Sequence, residues 1–295
     1  MQSVIRIGSR KSKLAVIQAE IVKKRILQFH PELEIEIVTM KTTGDKILHQ
    51  SLEKIGGKGL FVKELDHALM EGRIDLAVHS LKDMPSEISK ELPVFAFPKR
   101  GDPRDVLVYS EQAVQTGRLQ IIGTGSRRRQ IQMAERFGDC RFEGIRGNIR
   151  TRLEKLETES YDALVLAAAG LQRLGMESRI GRYFDVEEMI PAAGQGILAV
   201  QGRKGENWIW EEILDHRETR AAALAERQFI AELGGGCTSP VAAHARTKGE
   251  ELCLSGLYYR ESDGRFFKEK IAGTCQKAQE AGALLAKEMR RKYGD

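Results

Sequence analysis

The chain has 295 residues, of which 41% are hydrophobic and 30% are charged, with only 7 prolines. This composition excludes a disordered protein, and no apolar run approaches the roughly 20 residues that span a bilayer. The first residues lack the apolar stretch of a signal peptide, so we expect a cytoplasmic protein that does not bind membranes.

Charge and cysteine spacing narrow the possible ligands. The formal net charge of +5 is a mild excess that suits nucleic acid, phosphate or carboxylate ligands. Four cysteines lie far apart without a C-x-x-C pair, which argues against a zinc knuckle or a redox dithiol. We therefore expect free thiols and no metal.

The N-terminal part alternates strands with helices. Apolar periodicity predicts strands at 4–8, 32–40 and 74–80, with helices at 12–29 and 59–72. Strands separated by helices indicate a parallel sheet with helices on both faces.

The same plan begins again after residues 92–105, which are rich in Pro and Gly and are predicted to form a linker. The second unit is predicted to contain the strands "DVLVY", "LQIIGTGS" and "CRFEGIRG", the helix "RRRQIQMAERF", a helix at 149–159 and a strand at 161–170. The last part differs, because a helix at 217–233 precedes three turn-linked strands and a helix at 275–293. This pattern predicts a small α+β domain.

Arginine and hydroxyl side chains cluster where predicted strands lead into helices. Free N–H groups at a helix start favour anions, although Ser and Thr there can also serve only as caps. If the arginines meet at the carboxyl edge of a sheet, they suit a ligand with many carboxylates or phosphates. The set comprises Ser9, Arg10, Ser12, Thr124, Ser126, Arg127, Arg128, Arg129, Arg146, Arg150, Arg152 and Arg173.

Nucleic acid is the competing anion. The basic residues lie at turns rather than along one helix face, and no aromatic residues are interleaved for base stacking. A polycarboxylate or phosphate is therefore the favoured ligand.

Three loops are further candidates for a site. "VHSLKDMP" places Ser80, Lys82 and Asp83 after a buried strand, where an Asp near Pro is also ordinary turn chemistry. The glycine-rich segment 44–61, which contains Lys54 and Lys58, is typical of a lid over an anionic ligand or of a plain surface loop. In "GGGCTSP" the glycines leave room for a bulky group on the Cys237 sulfur, although a lone Cys is also a common buried hydrophobe.

Eight segments, taken in order, carry a resemblance to one family: "GSRKSKLA", "GGKGLFVKEL", "DLAVHSLKDMP", "GTGSRRR", "RGNIRTRL", "AAAGLQRLG", "PAAGQG" and "GGGCTSP". Together they resemble hydroxymethylbilane synthase, also called porphobilinogen deaminase. The resemblance implies a transferase of haem biosynthesis. It would join four porphobilinogen molecules head to tail, with loss of ammonia, on a covalently attached dipyrromethane cofactor.

The resemblance also implies an architecture. Two periplasmic-binding-protein-like (type II) α/β domains would enclose a cleft, and a C-terminal α+β domain with a three-stranded antiparallel sheet would carry the cofactor loop. The implied boundaries are 1–98 with 194–214 for domain 1, 99–193 for domain 2 and 215–295 for domain 3. A monomer with porphobilinogen as its small-molecule partner, and without nucleic acid, is expected.

The resemblance assigns roles residue by residue. Asp83 matches the catalytic aspartate, and Cys237 matches the thioether attachment point. The implied cofactor-binding residues are Arg10, Ser12, Ser80, Lys82, Thr124, Ser126, Arg128, Arg129 and Arg146. The implied substrate-binding residues are Arg10, Gln18, Lys54, Lys58, Arg146, Arg152, Arg173, Gln195 and Gly196.

Two positions depart from the family pattern, because Arg127 replaces a residue that is often apolar and Gln201 one that is commonly acidic. Two other functions fit the same anion sites. One is an α/β binding protein for polycarboxylates or phosphates that lacks the chemistry, and the other is a nucleic-acid-binding protein.

Overall fold

The computed structural model describes residues 4–42, 62–206, 208–234 and 240–294. Within these residues the strands are β1 (Ile5–Arg10), β2 (Ile35–Met40), β3 (Leu76–Ser80), β4 (Val94–Ala96), β5 (Asp105–Tyr109), β6 (Ile121–Gly123), β7 (Arg141–Glu143), β8 (Ala163–Ala167), β9 (Arg182–Tyr183), β10 (Leu198–Gly202), β11 (Ala242–Lys248), β12 (Glu251–Tyr259) and β13 (Phe266–Thr274). The helices are α1 (Lys13–Phe29), α2 (Lys63–Met70), α3 (Glu111–Thr116), α4 (Arg127–Ala134), α5 (Ile149–Thr158), α6 (Ala168–Arg173), α7 (Trp208–Leu214), α8 (Arg217–Glu232) and α9 (Ala278–Tyr293).

The first sheet has the strand order β2-β1-β3-β10-β4. β1 pairs in parallel with both β2 and β3, so the carboxyl ends of these strands meet at one edge. β10 runs antiparallel to β3 and to β4. The sheet that was predicted to be parallel is therefore mixed, because the chain returns from the second unit and enters the first sheet in the opposite direction.

The second sheet has the order β7-β6-β8-β5-β9. β6 is parallel to its neighbours, whereas β5 is antiparallel to both β8 and β9. Each of the two sheets has an apolar core, built around Ile7, Val22 and Leu76 in one case and Val106 and Leu164 in the other. Helices cover these cores because their apolar residues recur at helical spacing.

The third sheet is antiparallel in the order β11-β12-β13, and α8 and α9 pack against it. The two helices approach so closely that a Cβ at Gly282 would lie 2.3 Å from the backbone oxygen of Ala225. Two mixed α/β sheets and this α+β unit confirm the predicted fold class. Among the described residues, no helix combines the length and apolar character needed to cross a bilayer.

Several predicted element bounds differ from the structure. The predicted linker 92–105 contains β4 and ends in β5, so it is partly built into both sheets. The predicted strand 161–170 ends at Ala167 and continues as α6, because its small residues tolerate a helix as well as a strand. Of the predicted helix 59–72, residues 59–61 lie outside the described part of the chain. The described helix runs from Lys63 to Met70 and ends two residues earlier than predicted.

Candidate active site

The carboxyl edge of the first sheet brings four predicted residues together. β1 ends at Arg10 and β3 at Ser80, and Ser12 caps α1 by accepting a hydrogen bond from the Ala15 N–H at 3.2 Å. Buried Gln18 donates from Nε2 to Ser80 Oγ at 2.9 Å. A cavity of about 60 Å³ lies here, lined by Arg10, Ser12, Gln18, His79, Ser80, Asp83 and apolar side chains.

Asp83 lies on a 3-10 turn, Leu81–Asp83, directly after β3. The turn is anchored by Leu81, which is 1% exposed and whose N–H donates to the Ile197 oxygen at 3.0 Å. The Asp83 side chain is exposed and accepts no hydrogen bond from any residue in the described ranges. A rigid support thus presents a carboxylate that is available to a ligand.

The loop after this turn is held from the C-terminal domain. Arg227 of α8 donates from Nη2 to the backbone oxygens of Pro85 and Ser86, both at 2.8 Å. This contact could not be predicted from the sequence, because Arg227 lies in an ordinary amphipathic helix.

Lys82 is partly buried beside Gln195. Burial lowers its pKa to about 8, and the charges of Arg129 and Arg128 act in the same direction, against the opposing effect of Asp83 and Asp105. Its Nζ donates to Gln195 Oε1 at 3.4 Å. An ammonium group stripped of water in this way is stabilised by an anionic ligand.

Arg128 and Arg129 open α4, and both side chains lie against Asp105 at the start of β5. Arg128 Nη1 is 2.8 Å from Oδ2 of Asp105, and Arg129 Nη2 is 2.7 Å from Oδ1. Burial alone would raise the pKa of Asp105, but the two guanidinium groups outweigh it and hold the pKa well below its ordinary value. Asp105 is fully buried and is not among the site residues predicted from the sequence. An acid opening an otherwise apolar strand, "DVLVY", was the available signal.

Arg152 and Arg173 complete the set of inward cations. Burial lowers the pKa of each to about 10. Arg152 donates to the Gly147 oxygen at 2.8 Å, and Arg173 donates to the Gly196 oxygen at 2.7 Å. Within the described part of the chain neither forms an ion pair. The Asp83 charge does raise the Arg152 pKa, which places these two residues within electrostatic reach.

Other predicted residues have different surroundings. Thr124 is buried and its Oγ1 accepts from the Ser126 N–H at 3.2 Å, while the Ser126 side chain forms no cap for α4. Arg146 is exposed in the turn before α5. Cys237, Lys54 and Lys58 lie outside the described residues.

The two departures from the family pattern have structural roles. Arg127 faces away from Asp105 and donates to Tyr259 Oη at 2.9 Å and to Glu261 Oε2 at 3.2 Å. Gln201 is buried, where its Nε2 donates to the Leu92 oxygen and its Oε1 lies 3.0 Å from Nε2 of His79.

The chemistry of this donor set fits a ligand rich in carboxylates. Several guanidinium groups and one ammonium lie in or near one cleft, and the nearby carboxylates are Asp83 and Asp105. No group of three or more His, Cys, Asp or Glu side chains suited to a metal occurs among the residues described. The residues therefore suit a polycarboxylate cofactor such as dipyrromethane.

Comparison with known proteins decides the family. Residues 5–211 match the family model described as "Porphobilinogen deaminase, dipyromethane cofactor binding domain", and residues 221–291 match "Porphobilinogen deaminase, C-terminal domain". The chain belongs to the porphobilinogen deaminase family. It is therefore a transferase of tetrapyrrole biosynthesis that polymerises porphobilinogen and has a dipyrromethane-binding domain.

Its relatives are similar over nearly the whole chain. Porphobilinogen deaminase of Ruminiclostridium josui is 51% identical over 286 residues, which cover 97% of each protein. The enzyme of Alkaliphilus oremlandii is 49% identical, covering 97% of this chain and 96% of that one. The resemblance inferred from eight short segments is thus confirmed.

Among solved structures, the methionine binding protein MetQ aligns with a TM-score of 0.43 at 12% identity, covering 70% of this chain and 88% of its own. The periplasmic aliphatic sulphonate binding protein SsuA of Escherichia coli aligns with a TM-score of 0.38 at 13% identity, covering 70% and 67%.

Proposed function

We propose that Asp83 is the catalytic group of the porphobilinogen polymerisation and that the surrounding cations hold the carboxylates of the growing pyrrole chain. The observation that carries this proposal is the position of Asp83. Its exposed carboxylate borders the cavity that Arg10, Ser12, Gln18 and Ser80 line.

The reaction requires a carboxylate at such a place. When ammonia leaves the aminomethyl carbon of porphobilinogen, electrons are drawn from the pyrrole nitrogen, and positive charge develops on its N–H. A carboxylate that accepts a hydrogen bond from this N–H stabilises the transition state more than the ground state. Asp83 is free to accept that bond, and the anchored turn holds its position.

The side chains around Asp83 bind rather than react. Each pyrrole carries an acetate and a propionate, and guanidinium groups bind carboxylates through paired hydrogen bonds. Lys82, Arg152 and Arg173 are partly buried, which reduces the water that competes for these carboxylates. We assign cofactor binding to Arg10, Ser12, Ser80, Lys82, Thr124, Ser126, Arg128, Arg129 and Arg146, and substrate binding to Arg10, Gln18, Lys54, Lys58, Arg146, Arg152, Arg173, Gln195 and Gly196.

Cys237 is proposed as the attachment point of the dipyrromethane, which supplies the pyrrole end to which the first substrate is joined. The product is hydroxymethylbilane, formed from four porphobilinogen units. The proposed domains are 1–98 with 194–214, 99–193 and 215–295. Support comes from β10, which pairs with β3 and β4 although the whole second sheet lies between them in sequence.

We also propose a cytoplasmic monomer that uses neither membrane nor nucleic acid. The basic residues lie at turns rather than along one helix face, without interleaved aromatic residues, which argues against nucleic acid.

The test of Asp83 is Asp83→Asn beside Glu87→Gln, which removes an exposed carboxylate four residues later. We expect Asp83→Asn to unfold like the parent protein while its kcat falls by about 10²–10³-fold, since one charge-stabilising group is lost. Glu87→Gln should keep its kcat. Near-normal turnover of Asp83→Asn would refute the assignment.

The test of Cys237 is the intact mass of the purified protein beside Cys237→Ser and Cys253→Ser. Cys253 is an exposed free cysteine and serves as the control. An excess mass of two linked pyrroles should be present in the parent and in Cys253→Ser but absent from Cys237→Ser. The same excess in Cys237→Ser would place the attachment elsewhere.

A further inference from the structure

We infer that Asp105 is a positioning residue for the pyrrole carboxylates: it orients Arg128 and Arg129 directly, and Lys82 through Gln195. This inference rests on the proposed function of those three cations. It adds a residue that neither the sequence reading nor the family resemblance assigns.

Two buried guanidinium groups share one carboxylate. Arg128 and Arg129 are 5% and 7% exposed, and both pair with the one carboxylate of Asp105. Within the described residues no second carboxylate pairs with either guanidinium. One buried positive charge is thus left for an outside anion, because an uncompensated buried charge is costly.

Arg128 and Arg129 have more N–H donors than their protein partners use. A guanidinium has five N–H groups. Arg128 Nη1 donates to Asp105 at 2.8 Å and to the Ile190 oxygen at 2.7 Å. Arg129 donates to Asp105 from Nε at 3.0 Å and Nη2 at 2.7 Å, and to the Val165 oxygen at 2.9 Å from Nη1. Asp105 thus holds Arg129 through two nitrogens and, together with the Ile190 oxygen, holds Arg128 through one, and N–H donors of both guanidinium groups are left over for a ligand.

Gln195 links Asp105 to Lys82. Gln195 Nε2 donates to Asp105 Oδ1 at 3.1 Å and to the Pro103 oxygen at 2.7 Å. Because both acceptors require the amide nitrogen on their side, Gln195 must present Oε1 to Lys82 Nζ, 3.4 Å away. One carboxylate therefore contacts both arginines of α4 directly and reaches Lys82, on the turn after β3, through Gln195.

The alternative is that Asp105 only neutralises buried arginines. Asp105→Asn separates the two roles, with Asp105→Glu as the variant that keeps the charge. Asp162→Asn is the matched control, because Asp162 accepts from the N–H groups of Gln120 and Ile121 in the same domain without contacting the arginines.

Two measurements are made on each purified variant: the fraction that carries the two-pyrrole mass, and the pH profile of kcat/KM. The charged groups that act on Lys82 are Asp83 on its own turn, Arg128 and Arg129 on α4, and Asp105 on β5. Because the Asp105 charge favours protonated Lys82, Asp105→Asn should move the alkaline limb of the profile down by roughly one pH unit. Asp105→Glu should restore the limb.

For the mass, we expect Asp105→Asn to load at least about tenfold less than the parent protein, since charge-assisted hydrogen bonds to the ligand are misdirected. Asp162→Asn should load fully and keep the profile. Full loading of Asp105→Asn with an unmoved alkaline limb would overturn the inference and leave Asp105 a stabilising role only.

If Asp105→Asn does not fold, Gln195→Met tests the link to Lys82, because it removes the hydrogen bonds of Gln195 to Asp105, Pro103 and Lys82 but leaves the Asp105 carboxylate and both arginines in place. The alkaline limb should then fall while the arginine pairs stay intact, and an unchanged profile would overturn the link. Failure of the proposed function itself is distinguishable, since the parent protein would then carry no pyrrole mass.

Discussion

Arg100 and Glu226 form a buried ion pair in which Nη1 lies 2.5 Å from Oε1, joining the segment after β4 to helix α8 of the C-terminal domain. The Glu226 side chain is 0% exposed and also accepts from the N–H groups of Gly194 at 2.6 Å and Ala245 at 2.8 Å. One carboxylate thus connects four segments of the chain.

Glu226→Gln should destabilise the fold by about 3–5 kcal/mol, because it leaves the Arg100 charge buried without its partner. Urea unfolding measures this loss. The control is Glu71→Gln in the exposed pair Glu71–Arg73, which should change the free energy of unfolding by less than about 1 kcal/mol. Equal losses in both variants would contradict the role of Glu226.

The same pair predicts a dependence of stability on pH. Burial raises the pKa of Glu226, but Arg100 and His244 together outweigh it, so the folded pKa lies below the ordinary 4.5. The contribution is complete above pH 4.5 and is lost as the pH falls through the folded value. In Glu226→Gln the unfolding free energy should vary less with pH below 4.5.

Lys82 predicts a dependence of substrate binding on pH. Burial lowers its pKa to about 8, so the ammonium loses its charge as the pH rises through 8. The KM for porphobilinogen should then rise above pH 8. Lys82→Arg, which stays charged, should move this rise to higher pH, whereas Lys82→Gln should show a high KM at every pH. A KM that is constant from pH 7 to 9 in the parent would exclude a binding role.

Substitution of the three consecutive arginines is expected to have two different outcomes. Arg127 lies over the Tyr259 ring at 4.7 Å, and its ion pair with Glu261 is largely exposed. Arg127→Gln should therefore cost at most about 1 kcal/mol and leave cofactor loading unchanged. Arg128→Gln and Arg129→Gln remove inward cations and should reduce loading, as intact mass would show. Reduced loading in Arg127→Gln alone would reverse the assignment.

The order of elements, and the meeting of hydroxyl and arginine side chains at one edge of the first sheet, could be predicted from the sequence, because apolar periodicity and hydroxyl-plus-arginine turns are local signals. β10 could not be placed in this way. Its residues, Leu198–Gly202, are buried and read only as a strand, and their antiparallel pairing with β3 and β4 depends on where the chain returns.

The pairing of the arginines was also beyond the sequence. Arg128 and Arg129 were expected to face a ligand directly, yet each donates to Asp105, which lies more than 20 positions earlier in the chain. Such a contact is set by how α4 packs over β5, and "RRRQ" does not specify which residue faces inward. Periodicity could not separate Arg127 from its neighbours, since helix α4 carries few apolar residues in its first turn.

Gly194 supports the turn that carries Asp83, so a side chain at this position should affect both stability and activity. It has φ of +75°, and a Cβ there would lie 2.8 Å from Cγ of Leu81, the buried anchor of that turn. Gly205 provides the control with φ of +81° and no atom within 4 Å of its Cβ.

Gly205→Ala should cost roughly 1 kcal/mol, the strain of a left-handed backbone at Ala. Gly194→Ala should cost more than this, since Leu81 must move and the Asp83 carboxylate moves with it. Both variants are assayed well below their unfolding temperatures, so that nearly all of each protein is folded. Under these conditions the kcat of Gly194→Ala should fall, and that of Gly205→Ala should not. If Gly194→Ala matches Gly205→Ala in both unfolding free energy and kcat, the position of Asp83 does not depend on the contact between Leu81 and Gly194.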